Sequence, residues 1–113
     1  MNKKEIITIK KIINHAETIV SITAEIADSK TYSKNRLITD AVAFNLLQIG
    51  ELAHDALSEE TVLSLNTIPW KEIYGLRNRI VHGYAGVDFN IIFTTVKEDV
   101  PVLIEQLKNV INN

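Results

Sequence analysis

Apolar residues recur at spacings of three and four along most of the chain, which is the period of amphipathic helices. In residues 3–28 the apolar stripe consists of Ile6, Ile9, Ile13, Ala16, Val20, Thr23 and Ala27. Ile12, Ile19 and Ile26 widen this stripe, as expected for one long helix that meets two neighbours. The polar residues 29–33 interrupt the pattern and are predicted to form a loop.

A second helix is predicted from about Lys34 to Leu57. One face of it carries Ile38, Ala41, Val42, Asn45, Ile49, Leu52 and Ala56. Gly50 interrupts this helix at a cost of about 1 kcal/mol relative to alanine, so we expect another backbone to approach closely there. Ser58, followed by acidic residues, predicts the N-cap of a short extra helix that ends near Asn66.

The third main helix is predicted to start with Pro69 at its first position and to reach its C-terminal cap at Gly83. Asp88 is the candidate N-cap of a final helix. Pro101 lies inside that helix and predicts a kink, because proline removes a helical hydrogen bond. No alternating strand pattern is present. The sequence therefore predicts an all-α, up-down bundle of four main helices plus a short extra helix, in one domain over residues 1–113.

Composition narrows the class of protein. Hydrophobic residues make up 46% and charged residues 23%, the balance of a globular chain, and no apolar run approaches the ~20 residues of a membrane span. No signal-peptide pattern is visible, so a cytoplasmic protein is expected. The absence of cysteine excludes disulfides, thiolate metal sites and cysteine nucleophiles. A net charge of -2 argues against a general nucleic-acid coat protein, although a local cluster can still bind phosphate.

The candidate chemistry is concentrated in residues 77–84. Arg77 can stabilise phosphate charge, and His82 can transfer a proton near neutral pH. Arg77 and His82 are five positions apart, which places them about 140° apart around a regular helix. One copy of the motif is therefore poorly arranged to bring both side chains to the same phosphate. Either the helix ends at His82 and lets its side chain turn toward Arg77, or two copies of the motif meet across a two-fold interface. We favour the second arrangement.

Other polar residues surround this pair. Asn78 is a candidate supporting residue, and Tyr84 is expected to present an accessible hydroxyl at the mouth of the site. Arg79 lies on a different face, where contact with solvent or a salt bridge is expected. Glu51 can face the cluster, but a solvated carboxylate is the simpler expectation. Spacing alone fits a structural role in which the cluster only caps helices.

The motif is embedded in a longer set of characteristic residues. They are Ile68-Pro69-Trp70, Gly75-Leu76-Arg77-Asn78, Val81-His82-Gly83-Tyr84 and Val87-Asp88, with Ile49-Gly50-Glu51 and Val100-Pro101 elsewhere. This pattern resembles the HepT-like branch of the HEPN superfamily of small helical proteins. The resemblance covers nearly the whole chain, and R-x4-H-x-Y with its flanks is far more specific than R-x4-H alone.

The resemblance implies the toxin of a type VII-like HEPN/MNT toxin–antitoxin module, acting as a metal-independent endoribonuclease in a homodimer without a cofactor. It implies that Arg77 and His82 are catalytic and that Asn78 assists them. The implied partner is a minimal nucleotidyltransferase antitoxin, which neutralises the toxin by attaching AMP to Tyr84. A bulky anionic group at that position would block the groove and repel RNA.

Two other functions stay open at this point. The protein can be a non-catalytic helical subunit that binds the nucleotidyltransferase or presents a substrate to it. It can also be a structural helical dimer, which a Tyr84 hydroxyl bonded inside the core would favour. Growth arrest on expression without the partner separates a toxin from a passive subunit.

Overall fold

The computed structural model describes residues 1–112, which contain helices and no strand. The α-helices are α1 (Lys3–Thr23), α2 (Ser29–Lys34), α3 (Arg36–Ala56), α4 (Glu59–Ser64), α5 (Trp70–Gly83), α6 (Phe89–Thr94) and α7 (Val100–Asn112). A 3-10 turn (Tyr84–Gly86) follows α5, and a π-helical turn (Thr95–Asp99) joins α6 to α7. The predicted all-α bundle is confirmed. None of the described helices is long and apolar enough to cross a membrane.

Helix α1 supplies the centre of the core. Its side chains Ile9, Ile12, Ala16 and Ile19 have no exposed surface, and the helix packs against α3 and α7. Burial of each large aliphatic side chain contributes about 1.5–3 kcal/mol to folding. Helix α5 packs mainly against α3, and α2 packs against α6. The motif on α5 is therefore positioned by α3.

The region between α1 and α3 differs from the sequence-based prediction. Helix α1 ends at Thr23 instead of residue 28, and residues 29–33 belong to the short helix α2 instead of a loop. Asp28 caps α2, because its Oδ1 accepts a hydrogen bond from the Thr31 amide at 2.8 Å. Tyr32 is fully buried and holds α2 against the core. The prediction was wrong because the buried Ile26 continues the apolar stripe beyond the end of α1.

Most of the predicted helix boundaries are confirmed. Ser58 and Asp88 cap α4 and α6 with their side chains, as predicted. Helix α5 begins one residue later than expected, with Pro69 at the cap position, and Gly83 is its last residue, so the C-terminal cap predicted at Gly83 was wrong and lies at Tyr84. Pro101, for which a kink is predicted, lies in α7 directly after the π-helical turn at residues 95–99. Proline has no backbone N–H to donate to the preceding turn, and a π-helical turn is a local change of hydrogen bonding within a helix.

Candidate active site

Helices α3 and α5 approach each other closely at Gly50. A Cβ atom at this position would lie 2.5 Å from Cβ and 2.7 Å from Cγ of Arg77, and 3.8 Å from the carbonyl oxygen of Ile73. The expected close approach at Gly50 is confirmed, although the nearest atoms belong to the stem of Arg77 instead of a backbone. Only glycine leaves room for Arg77 to lie flat against α3.

The guanidinium of Arg77 is held by two neighbouring side chains. Its Nε donates to Oε1 of Glu51 at 2.6 Å, and Nη2 forms an ion pair with the same oxygen. Its Nη1 donates to Oδ1 of Asn78 at 2.9 Å. The side chains of Arg77 and Glu51 are only 29% and 33% exposed. The simpler expectation of a solvated carboxylate at position 51 was therefore wrong, and the alternative, that Glu51 faces the cluster, is the arrangement observed.

These contacts leave part of the guanidinium available to a ligand. Arginine has five N–H donors, of which Glu51 engages two and Asn78 engages one. One N–H on each terminal nitrogen of Arg77 has no partner within the described residues. Guanidinium N–H groups are strong donors to phosphate oxygens. Arg77 can therefore bind a phosphate without breaking its contact with Glu51.

His82 lies on a different face of α5 from Arg77. It is exposed and lines a shallow groove between the end of α5 and the start of α6, together with Asn78, Arg79 and Asp88. Helix α5 remains regular at His82, so the early helix end considered from the sequence does not occur. No hydrogen bond or ion pair in residues 1–112 joins Arg77 to His82. The two motif residues are thus directed into different surroundings within one chain.

Asn78 connects these two surroundings. Its amide oxygen accepts from Arg77, while the residue also lines the groove that contains His82. The supporting role expected for Asn78 from the sequence stays a prediction.

Arg79 adds a second positive charge beside His82. It is exposed, and no carboxylate in the described part of the chain lies within ion-pair distance of it. It lines the His82 groove and also an adjoining apolar groove between α3, α5 and α7. Of the two roles expected for Arg79, contact with solvent is confirmed and a salt bridge is not formed.

Tyr84 follows α5 directly, in the 3-10 turn. Its hydroxyl donates to Oδ1 of Asp40 on α3 at 2.7 Å, and its ring contacts Phe89 edge-on at a centroid distance of 6.2 Å. The pKa of Tyr84 is raised above its ordinary value of 10.0, mainly by partial burial and to a smaller extent by the hydrogen bond to Asp40. The Asp40 side chain is 48% exposed, so this bond lies at the surface and not inside the core. The feature that would favour a purely structural dimer is therefore not observed.

The other two histidines have local partners. Nδ1 of His15 lies 2.8 Å from Oδ1 of Asn45, and Nδ1 of the exposed His54 lies 2.7 Å from Oδ1 of Asp55. Each of these histidines therefore already has a side-chain partner outside residues 77–84. Among residues 1–112, no group of three or more His, Cys, Asp or Glu side chains is arranged to hold a metal ion.

Comparison with known proteins identifies the family. A family model described as "Ribonuclease HepT-like" matches residues 12–110. The chain is 33% identical over 97 residues to "Putative RNase MJ1380" of Methanocaldococcus jannaschii, covering 86% of this chain and 87% of that protein. It is 34% identical over 80 residues to "Putative RNase TTE0752" of Caldanaerobacter subterraneus subsp. tengcongensis, covering 71% and 70%.

A third relative carries the family name itself. "Probable ribonuclease HepT" of Thermococcus cleftensis is 47% identical over 36 residues, which is 32% of this chain and 33% of that protein. No solved structure matches the chain significantly. The family match spans most of the helical bundle and all of residues 77–84, and the protein therefore belongs to the HepT-like ribonuclease family of the HEPN superfamily.

Proposed function

We propose that the protein is the endoribonuclease toxin of a HEPN/MNT toxin–antitoxin module. Membership in the HepT-like ribonuclease family supports RNA as the substrate. The observation that carries the proposal is the contact between Arg77 and Glu51, which holds the guanidinium while two of its N–H groups have no partner among the described residues. A guanidinium held in this way is already oriented for a phosphodiester, and orientation before binding is a main source of catalytic power.

Cleavage proceeds by attack of the ribose 2′-hydroxyl on the adjacent phosphorus. The O2′–P bond forms, the P–O5′ bond breaks, and the proton of the 2′-hydroxyl leaves to water. His82 protonates the departing O5′ atom, and Arg77 stabilises the added negative charge on the phosphorane. The products are a 2′,3′-cyclic phosphate and a 5′-hydroxyl. No step uses a metal ion, because the guanidinium supplies the positive charge.

The site is completed by a second copy of the chain. Arg77 faces α3 and His82 faces the groove beside α6, so a single copy presents the two groups to different spaces. A two-fold dimer that joins these faces places Arg77 of one protomer near the imidazole contributed by the other. Each copy also contributes Arg79, which concentrates positive charge in a chain of net charge -2.

Tyr84 is the site at which the partner nucleotidyltransferase neutralises the toxin by adding AMP. Its hydroxyl lies at the surface, one residue beyond the helix that carries both catalytic groups. A phosphodiester at this position introduces a negative charge and a nucleoside beside the path of the RNA. Modified protein is then unable to bind its substrate.

The test is an RNA-cleavage assay in the presence of a metal chelator, with the ends of the fragments identified. We expect cyclic phosphate ends from the wild-type protein and a loss of about 100-fold or more in both Arg77→Ala and His82→Ala. His54→Ala, which removes an exposed histidine elsewhere, is the matched control and should cleave normally. Cleavage that survives in both site variants would overturn the assignment. A wild-type protein that cuts no RNA and arrests no growth would support a non-catalytic partner subunit.

A further inference from the structure

The carboxylate of Asp40 is in direct contact with the hydroxyl that we propose to be modified. Tyr84 Oη lies 2.7 Å from Asp40 Oδ1, and the two residues are 44 positions apart in the chain. The contact is therefore formed by the packing of the turn after α5 against the first turns of α3. A donor–acceptor distance of this size lies within the range over which a side chain can take a proton during a reaction.

Tyr84 needs such a proton acceptor if it is to act as a nucleophile. Its surroundings favour the neutral phenol, because burial raises its pKa and the bond to Asp40 raises it further. The fully buried Tyr32 of α2 lies near Tyr84 and Asp40. As a tyrosine it carries no positive charge that would stabilise an ionised Tyr84. At neutral pH the phenol thus keeps its proton until a base removes it. A neutral hydroxyl becomes an effective nucleophile when an adjacent base accepts its proton as the new bond forms.

We propose that Asp40 is the general base for the transfer of a nucleotidyl group to Tyr84. The inference rests on the proposed modification of Tyr84 by a nucleotidyltransferase that uses a nucleoside triphosphate. Tyr84 Oη attacks the α-phosphorus, the Oη–P bond forms, and the bond from phosphorus to the bridging oxygen of the β-phosphate breaks. Pyrophosphate leaves, and the phenolic proton passes to Oδ1 of Asp40. Because the Asp40 side chain is 48% exposed, it then releases the proton to solvent.

Arg36 places a cation on the opposite side of this carboxylate. Its Nε lies 3.4 Å from Asp40 Oδ2, and its side chain is almost fully exposed. The pair engages Oδ2 and leaves Oδ1 bonded to Tyr84, and it places a positive charge beside this carboxylate that can attract an anionic triphosphate. The toxin chain thus supplies the nucleophile and its base, while the partner enzyme binds and orients the nucleotide.

The decisive variant is Asp40→Asn. Its amide oxygen can still accept a hydrogen bond from Tyr84, so the turn keeps its contact with α3, but the amide cannot act as a base. Purified variant is incubated with the partner nucleotidyltransferase, magnesium and ATP, and AMP incorporation is measured by intact mass and peptide mapping. We expect the initial rate to fall by about 100-fold or more, and Asp40→Glu to recover part of it. Glu17→Gln, which alters an exposed ion pair with Lys108, is the matched control and should be modified at the wild-type rate.

The outcomes separate this inference from the proposal on which it rests. Slow modification of Asp40→Asn, with wild-type protein modified at Tyr84 and with unchanged melting temperatures, supports Asp40 as the base. If Tyr84 of the Asp40→Asn variant is modified at the wild-type rate, Asp40 is not the base. The proposal that Tyr84 is the modified residue then still stands. Wild-type levels of AMP on Tyr84→Phe overturn both, because the nucleophile then lies elsewhere.

Discussion

Arg77 and Glu51 form an ion pair that connects α5 to α3, with Nε of the arginine donating to Oε1 of the glutamate at 2.6 Å. The pair lies 26 positions apart in sequence and is only about one-third exposed. It holds the guanidinium through two of its five N–H groups, and after the bond to Asn78 two N–H groups have no partner among the described residues. Glu51 thus acts on the proposed reaction through Arg77, as a positioning residue.

Replacement of Glu51 should strongly reduce the rate of RNA cleavage and have little effect on the stability of the fold. We expect Glu51→Ala to lower the single-turnover rate constant of cleavage by roughly 10–100-fold, because a guanidinium without this partner loses its orientation toward the phosphate. The free energy of unfolding should change by about 1 kcal/mol or less, since the pair is partly exposed. The measurement is single-turnover RNA cleavage with a parallel thermal melt. Glu17→Ala is the control, and a fully active Glu51→Ala protein would refute the positioning role.

Gly50 should not tolerate even one added methyl group. In Gly50→Ala the new Cβ would lie 2.5 Å from Cβ of Arg77, so α3 and α5 must move apart and Arg77 must shift. Such overpacking costs about 1–3 kcal/mol, and we expect RNA cleavage to fall as well. Gly75→Ala is the matched control within α5, because an added Cβ there meets no atom within 4 Å.

The control variant Gly75→Ala should itself change the stability of the protein. Gly75→Ala should raise the free energy of unfolding by about 0.5–1 kcal/mol, since alanine favours a helix interior over glycine. Thermal or urea unfolding of the two variants measures both effects. Equal stability of Gly50→Ala and Gly75→Ala would show that the close contact at Gly50 is not a constraint in solution.

Ile91 tests the proposed dimer. It is 51% exposed and lines the groove that contains His82, so a charge at this position should disfavour a protomer interface there. We expect Ile91→Glu to be monomeric at micromolar concentration and inactive, while the wild-type protein is a dimer. Ile7→Glu on α1 replaces an equally exposed isoleucine (52%) and should remain dimeric and active. Light scattering coupled to size exclusion gives the mass, and a monomeric wild-type protein would contradict the shared site.

Glu5 should make the fold sensitive to acid. It accepts a hydrogen bond from the Ser58 amide at 2.9 Å, and hydrogen bonds led by this one lower its pKa from 4.5 to about 2. Because the folded-state pKa is the lower one, Glu5 stabilises the protein fully above pH 4.5, and that contribution is lost as the pH falls toward 2. The melting temperature of Glu5→Gln should therefore be lower at pH 7 and change less between pH 5 and 2. Identical pH slopes for the variant and the wild type would contradict this account.

Local sequence signals were sufficient to predict most of the helices. The apolar period, together with side chains that cap their own helix such as Ser58 and Asp88, depends only on neighbours within a few residues. The separation of Arg77 from His82 also follows from regular helix geometry. The end of α1 at Thr23 could not be predicted in this way, because the buried Ile26 continues the apolar stripe beyond it.

The contacts that define the site were beyond the reach of sequence reasoning. The pairs Glu51–Arg77 and Asp40–Tyr84 each join α3 to the α5 region, and both require the register of one helix against the other. That register depends on the close contact at Gly50. Gly50 was recognisable as a point of close approach, but no sequence signal showed which residue would approach it. The position of Glu51 directly after Gly50 was the sequence feature that indicated a contact between this carboxylate and α5.

The most direct test of the central claim is complementation between two inactive variants. Heterodimers are isolated with Arg77→Ala in one protomer and His82→Ala in the other, using two different affinity tags. A site that combines Arg77 of one protomer with the histidine of its partner is intact once in each heterodimer, so we predict recovery of about half of the wild-type RNA-cleavage rate. Heterodimers as inactive as either homodimeric variant would contradict a catalytic site shared between two copies.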